Sequence, residues 1–477
     1  MHFSMIDLGT LVLLIHLSGV VAAVHAVVYT RTSQGAIAWA VALVTMPYLT
    51  LVPYLFLGQS HFAGYIDARR SGNRQLRALA DLPDGPADPD ATGRATAALG
   101  DGATHAFDRL SGMPLLAGNR VSTLINGTQT FDAILAAIEG AKHYVLVQFF
   151  VVRDDRIGQR LKRALLGCAA RGVRTYLLYD GIGSHDLSRR YIRELRAGGV
   201  VAHKFATRRF VNRFQLNFRN HRKLVVIDGE RAFVGGHNVG DEYLGEKPPL
   251  SPWRDTHIDI AGPVVSSIQF VFVEDWFWAT QRVPDLIRCN TVHDANMCCQ
   301  AIITGPADEF ETCSLFFVNA INSAQQRIWL TSPYFVPDEA VFTALKLAVM
   351  RGVDVRILIP ARRDHLVVFS ASTVHASEAV RAGVRMFRYQ PGFLHQKVVL
   401  IDDIAAAVGS PNLDNRSFRL NFELTVLTID RGFAAEVETM LLADFAESLP
   451  VGLDEFRRAP ALKRAAMRVA CLFSPIL

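Results

Sequence analysis

Two short patterns in this chain carry the residue types needed for displacement at phosphorus. His221-Arg222-Lys223 is followed after four residues by Asp228, and His395-Gln396-Lys397 after four residues by Asp402. Each is trailed at the same distance by a small turn and an amide, Gly235-Gly236-His237-Asn238 and Gly409-Ser410-Pro411-Asn412. A single His-x-Lys is most often an ordinary structural pair, but two with matched Asp and Asn offsets form a set. A phosphodiester is anionic and repels nucleophiles, so its nonbridging oxygens need positive charge and donors. Lys223 and Lys397 would supply the charge, and Asn238 and Asn412 would bind the substrate. An imidazole, with an unperturbed pKa of roughly 6.5, can attack phosphorus or carry a proton, so His221 and His395 can divide nucleophilic and acid/base work. A nucleophilic histidine needs an acceptor on its other ring nitrogen. Asp255, in Trp253-Arg254-Asp255-Thr256-His257, is the supporting candidate for the first half, and Glu423, in Asn421-Phe422-Glu423, for the second. Asp228 and Asp402 lie five residues beyond the lysines and brace the motif rather than react.

The elements that must hold these residues are strands. Leu224-Val225-Val226-Ile227 and Val398-Val399-Leu400-Ile401 are aliphatic runs ending in Asp228-Gly229 and Asp402-Asp403, which predicts buried strands entering tight turns. Alternation along an extended chain puts His221 and Lys223 on one face, and His395 and Lys397 likewise. An internal repeat runs around the motifs. Ala141–Val147 matches Ala324–Leu330 in pattern, Arg171–Leu178 matches Arg351–Leu358, and Ala197–Val200 matches Ala382–Val384. Strands alternating with helices predict an α/β fold of two pseudo-twofold lobes with mixed, mostly parallel sheets. The lobes are expected at residues 118–300 and 301–477.

The front of the chain differs. Half of the 477 residues are hydrophobic, and the mean hydropathy of +0.19 is high for a protein without membrane segments. Leu8 to Tyr29 and Gly35 to Leu57 are uncharged and apolar, each long enough to cross a bilayer as a helix, which takes about 20 residues. A signal peptide or buried core helices are the alternatives for such runs. The first segment lacks a leading Lys or Arg and a second span follows directly, which favours a retained two-helix hairpin over residues 1–60. Arg31 alone lies in the connecting loop, whereas Arg69, Arg70, Arg74 and Arg77 follow the second span. The positive-inside rule then places the catalytic region in the cytoplasm. Residues 61–117 read as a juxtamembrane segment, with Asp81 to Asp101 of linker composition.

Cys168, Cys289, Cys298, Cys299, Cys313 and Cys471 form no C-x-x-C pair, which predicts free thiols in a reducing compartment. No Walker loop, dinucleotide fingerprint or zinc-protease histidine pair is present, so neither a cofactor nor a metal is expected. From Val201 to Ile227 there is no acidic residue, while Lys204, Arg208, Arg209, Arg213, Arg219, Arg222 and Lys223 accumulate, and Phe210, Phe214 and Phe218 recur every four residues. Such a stretch suits an anionic membrane surface, a nucleic acid, or simply a solvated face over a core-facing stripe. The two spans favour lipid.

The doubled motif resembles the phospholipase D superfamily. The longer blocks narrow the likeness: Gly235 to Gly245 with Trp253 to His257, Gly409 to Glu423, the paired spans, and the closing Leu472-Phe473-Ser474-Pro475-Ile476-Leu477 are similar to bacterial cardiolipin synthases. Gln396 and His237 depart from the smaller residues usual at those positions. The resemblance implies a multi-pass protein of the bacterial inner membrane that transfers a phosphatidyl group between two phosphatidylglycerol molecules and releases glycerol. It also implies that His221 is the nucleophile and His395 the acid and base. A lipid hydrolase of the same fold, or a membrane-tethered nuclease, are the alternatives.

Overall fold

The computed structural model describes residues 5–30, 33–58, 88–205, 218–286, 291–308, 310–453, 455–456 and 458–476. Cys289, the arginines at 69, 70, 74, 77, 208, 209 and 213, and Phe210 and Phe214 lie outside these.

The apolar front folds as helix Met5–Tyr29 packed on helices Ser33–Thr45 and Pro47–Leu57. Gly19 sits at the closest approach, where a Cβ would meet the Leu43 carbonyl oxygen at 2.4 Å. Only the segment Gly9–Tyr29 is, among the described residues, a single helix long and apolar enough to cross a membrane. Within the second expected span, Gly35 to Leu57, the structure has two helices that meet at Met46. Pro47 has no N–H to give the preceding turn, and its ring forces Met46 out of helical geometry. The 13-residue piece Ser33–Thr45 rises only about 20 Å, short of the roughly 30 Å hydrocarbon layer.

One sheet of 16 strands runs through both lobes. From a central seam the first lobe proceeds outward as Leu116–Ile125, Thr256–Ala261, Arg231–Gly235, Leu224–Ile227, Tyr144–Phe149, Arg174–Asp180 and Val201–Phe205. The second proceeds as Met297–Thr304, Asn421–Ile429, Ala405–Gly409, Val398–Ile401, Arg327–Thr331, Asp354–Pro360 and Arg385–Tyr389. Position for position the orders match, so the pseudo-twofold axis passes between Leu116–Ile125 and Met297–Thr304, which pair antiparallel. The lobe boundary expected at residue 300 thus falls inside a strand. Parallel pairing belongs to the outer strands, where helices such as Arg156–Ala170 make the crossovers. The strands nearer the seam pair antiparallel, because the motif strands turn back through three residues at Asp228 and Asp402.

The stretch of linker composition, Asp81 to Asp101, holds a helix from Pro89 onward among its described residues. Asp88 caps helix Pro89–Leu99 through Asp90 N, and helix Asp101–Ser111 follows. Ala91, Ala95, Leu99 and Phe107 are buried in the core of the second lobe with Phe316 and Ile321. Two two-residue strands tie the lobes together at the motifs. Arg219–Asn220 runs parallel to Asn421–Phe422, and Phe393–Leu394 runs parallel to Trp253–Arg254. Each histidine therefore directly follows a short strand stitched to the opposite lobe.

Candidate active site

That stitching sets the histidine partners, and they are crossed. His221 donates from Nδ1 to the Glu423 oxygens at 2.9 and 3.0 Å. His395 Nδ1 lies 2.7 Å from Asp255 Oδ2. The assignment of Asp255 to the first half and Glu423 to the second is thus reversed by the fold. Backbone bonds from His221 N to the Phe422 carbonyl (3.0 Å) and from His395 N to the Arg254 carbonyl (2.7 Å) place each imidazole beside the other lobe's carboxylate strand. Both carboxylates are fully buried and both histidines are 8% exposed. With Nδ1–H committed to a carboxylate, Nε2 of each ring remains for chemistry.

Glu423 also accepts from Ser410 Oγ at 2.5 Å and Asn421 Nδ2 at 3.0 Å. Gly236 gives Asp255 room: a Cβ there would lie 2.1 Å from Asp255 Oδ1. Each lysine bends back, Lys223 Nζ to the His221 carbonyl and Lys397 Nζ to the His395 carbonyl, both at 2.5 Å. Lys397 Nζ also sits 2.9 Å from His395 Nδ1.

Burial and mutual repulsion govern the charges. Burial, partly offset by Glu423, lowers the His221 pKa to about 4, with both lysines adding to the fall. Burial together with Lys397, Lys223 and His221 drives His395 well below the ordinary histidine range. Burial lowers Lys223 to about 7 and Lys397 to about 8. Burial opposes ionisation of Glu423, but His221, Lys223 and Ser410 outweigh it and hold its pKa at about 2. Four basic groups drawn together and desolvated this way form a pocket that gains by taking an anion.

Asp228 and Asp402 brace, as their position past the strand suggests. Asp228 accepts from the amides of Lys142, His143 and Tyr144 (2.8 Å each), and Asp402 from those of Gln325, Gln326 and Arg327 (2.9, 2.8 and 2.8 Å). Both adopt positive φ, +53° and +50°, to turn the hairpins. The asparagines are not equivalent. Asn238 accepts from Val151 N at 3.1 Å and donates to the Tyr243 hydroxyl at 3.1 Å. Asn412 donates to Asp414 at 3.1 Å, and its Oδ1 is buried without a partner.

The family model described as "Cardiolipin synthase, PLD-like domain" matches residues 134–247 and 317–445, one match per lobe. The chain is 57% identical over 472 residues to cardiolipin synthase A of Pseudomonas fluorescens, covering 98% of both chains. It is 58% identical to cardiolipin synthase A of Pseudomonas aeruginosa, covering 98% of this chain and 96% of the other. The chain belongs to the cardiolipin synthase family, within the phospholipase D superfamily. A phosphatidylserine synthase structure from Haemophilus influenzae shares the fold, with a TM-score of 0.63 at 15% identity over 79% of this chain and all of that one.

In this cardiolipin synthase family member the residues between His and Lys carry structural weight. Arg222, within the expected basic face, is instead 2% exposed and paired with Asp275 through two 2.8 Å contacts; it also donates to the Glu423 carbonyl at 3.1 Å. At the equivalent position Gln396 donates to Asp444 at 2.6 Å, and Arg254 bridges the same carboxylate at 2.7 and 2.8 Å. Arg254 thus supplies the guanidinium that the second motif lacks. His237 is buried against His257, with their Nδ1 atoms 3.1 Å apart, and burial holds both pKa values near about 3, so the pair is neutral. Lys223 is fully buried, and Phe218 packs in the core. Of the described basic residues in that stretch, Arg222 and Lys223 are thus interior, Arg219 is half-buried and Lys204 is exposed. Sequence reasoning missed Ser410, Asn421, Tyr243 and Phe150, whose ring lies 5.1 Å from His221 edge-on. Ser410, Asn421 and Tyr243 stand inside the longer motif blocks, which was their available signal. Cys168, Cys298, Cys299, Cys313 and Cys471 are free thiols, as expected.

Proposed function

We propose that this chain is a membrane phosphatidyltransferase that converts two phosphatidylglycerol molecules to cardiolipin and glycerol through a phosphohistidine. The observation that carries the proposal is the crossed pair of buried imidazole–carboxylate units, His221 with Glu423 and His395 with Asp255, beside two lysines. His221 Nε2 attacks phosphorus as the bond to the glycerol oxygen breaks, and His395 gives that oxygen its proton. Glu423 stabilises the positive charge that develops on the His221 ring. In the second step His395 takes the proton of the acceptor's hydroxyl, the oxygen attacks phosphorus, and the P–N bond breaks. Lys223 and Lys397 neutralise the nonbridging oxygens. The phosphate charge in turn raises the lowered pKa values of the lysines and of His395, so substrate binding readies the proton donor.

Because the two ester bonds exchanged are alike, the outcome depends on excluding water rather than on bond energy. The near-complete burial of both histidines supports transfer over hydrolysis. The helix Met5–Tyr29, with the helices Ser33–Thr45 and Pro47–Leu57 packed on it, would anchor the enzyme in the membrane with its catalytic lobes on the cytoplasmic face, the side on which the arginines from 69 to 77 follow the apolar front. Purified protein in bilayers of labelled phosphatidylglycerol should yield cardiolipin and free glycerol with little phosphatidic acid. Phosphatidic acid as the main product would replace the synthase with a hydrolase.

A further inference from the structure

The last helix, Ala461–Cys471, carries two apolar stripes. Met467 and Ala470 point inward, on the side packed against helix Leu366–Arg381. Leu462, Ala465, Ala466 and Val469 recur at helical spacing on the other side, and Leu472 and Phe473 continue that face. Leu462 is 84% exposed and Leu472 77%. Lys463, Arg464 and Arg468 flank the stripe, and no acidic residue follows Glu455 in the chain. A contiguous exposed apolar face bordered by cations, with no anion nearby in sequence, has the character of an interfacial helix.

Its place in the fold ties it to the catalytic pocket from two directions. Helix Leu366–Arg381 begins two residues after Asp364, which accepts the Tyr334 hydroxyl and acts electrostatically on Lys397. The first residues of that helix, Leu366 and Val367, are also exposed. Beyond the last helix, Ser474–Ile476 packs against Asn415–Arg419, the short helix just after Asn412. The C-terminal end of the exposed apolar face, with Leu366 and Val367, therefore lies toward the second motif.

We propose that Ala461–Phe473, with Leu366 and Val367, is a second membrane-docking surface that lies in the headgroup–acyl boundary of an anionic bilayer and holds the catalytic mouth against it. The occupant is lipid rather than protein because the helix itself carries only cations, three against Glu378 of the helix it packs on and Asp364 just before that helix, and the substrate class implied by the family resides in that plane. The proposal rests on the phosphatidyltransferase function above. It adds that the N-terminal helices tether the enzyme while the C-terminal helix orients it.

Full-length protein in nanodiscs containing phosphatidylglycerol provides the test. A bimane label on Leu462→Cys, in a Cys471→Ser background, should be quenched by lipids brominated along the acyl chain. The Leu462→Asp/Leu472→Asp variant should lose about tenfold or more in kcat/KM toward long-chain lipid in the bilayer. It should stay within about twofold of the parent on a short-chain, monomeric phosphatidylglycerol, which needs no docking. Lys463→Glu/Arg464→Glu/Arg468→Glu should show the same split. Equal losses on both substrates, unchanged turnover on both, or a bimane label blind to brominated lipid would each overturn the proposal. So would a parent dimer that becomes monomeric in the Asp variant with bilayer turnover intact, since a second copy would then cover the face. If the parent turned over neither substrate, the transferase function would fall, while bimane quenching would still decide the docking.

Discussion

Crossed pairing makes a prediction that uncrossed pairing reverses. Asp255 is fully buried, with Oδ2 2.7 Å from His395 Nδ1 and Oδ1 accepting from Thr256 N at 2.8 Å. In Asp255→Asn the carboxamide oxygen keeps the Thr256 contact, so the NH2 turns toward His395 Nδ1. The ring must then accept at Nδ1 and hold its proton on Nε2. Loss of the charge-assisted bond is worth about 1.5–3 kcal/mol, a factor of about 10 to 150 in rate. The misplaced proton adds to this, with the roughly 10⁴-fold cost of the same change in a serine-protease triad as an upper bound. Cardiolipin formation should therefore fall between about 10²- and 10⁴-fold. A phosphatidyl ester of an acidic nitrophenol separates the two histidines, because its leaving group needs little protonation. Asp255→Asn and His395→Ala should keep the nitrophenolate burst that accompanies phosphohistidine formation, whereas Glu423→Gln and His221→Ala should lose it. Stopped-flow absorbance reads the burst, and digestion with mass spectrometry locates the phosphate. A burst kept in Glu423→Gln and lost in Asp255→Asn would refute the division of labour. Asp255→Asn within tenfold of the parent on phosphatidylglycerol would refute the role of the pair.

The lysine pKa values of about 7 for Lys223 and about 8 for Lys397 set a pH dependence. Both are cationic below that range and lose charge as pH rises through it, so KM for the anionic lipid should climb above about pH 8; a KM flat to high pH would contradict this. Gly236→Ala, which drives a Cβ to 2.1 Å from Asp255 Oδ1, should lose activity as severely as Asp255→Asn while its circular dichroism stays that of the parent. Asp228→Ala strands three backbone amides at the start of Tyr144–Phe149 and should destabilise the first lobe by about 2–4 kcal/mol, read as a lowered Tm in detergent. Gln396→Ala leaves Asp444 still held by Arg254 and should cost activity far less than Asp444→Asn, which weakens both contacts; turnover in bilayers compares them.

The sequence by itself determined the chemistry and the doubling. His-x-Lys, Asp and Asn recur at equal offsets because each lobe is built locally, from a strand, a tight turn and a returning strand, and local geometry is written in spacing. The repeat of strand and helix was legible for the same reason, as was the apolar front. Tertiary structure alone decided which imidazole meets which carboxylate. His221 and Glu423 lie 202 residues apart and His395 and Asp255 140 apart, joined by parallel strand pairs between lobes that no local pattern encodes. It also decided that Arg222 is interior, since a guanidinium reads as surface until the fold supplies Asp275. The helices from Pro89 to Ser111 escaped notice because an alanine- and glycine-rich segment resembles a linker until the core of the second lobe offers Ala91 and Ala95 a surface to cover. What can be read from spacing is what neighbouring peptide units impose on one another; what cannot is the choice among distant partners, which is settled by the burial that only the assembled lobes create.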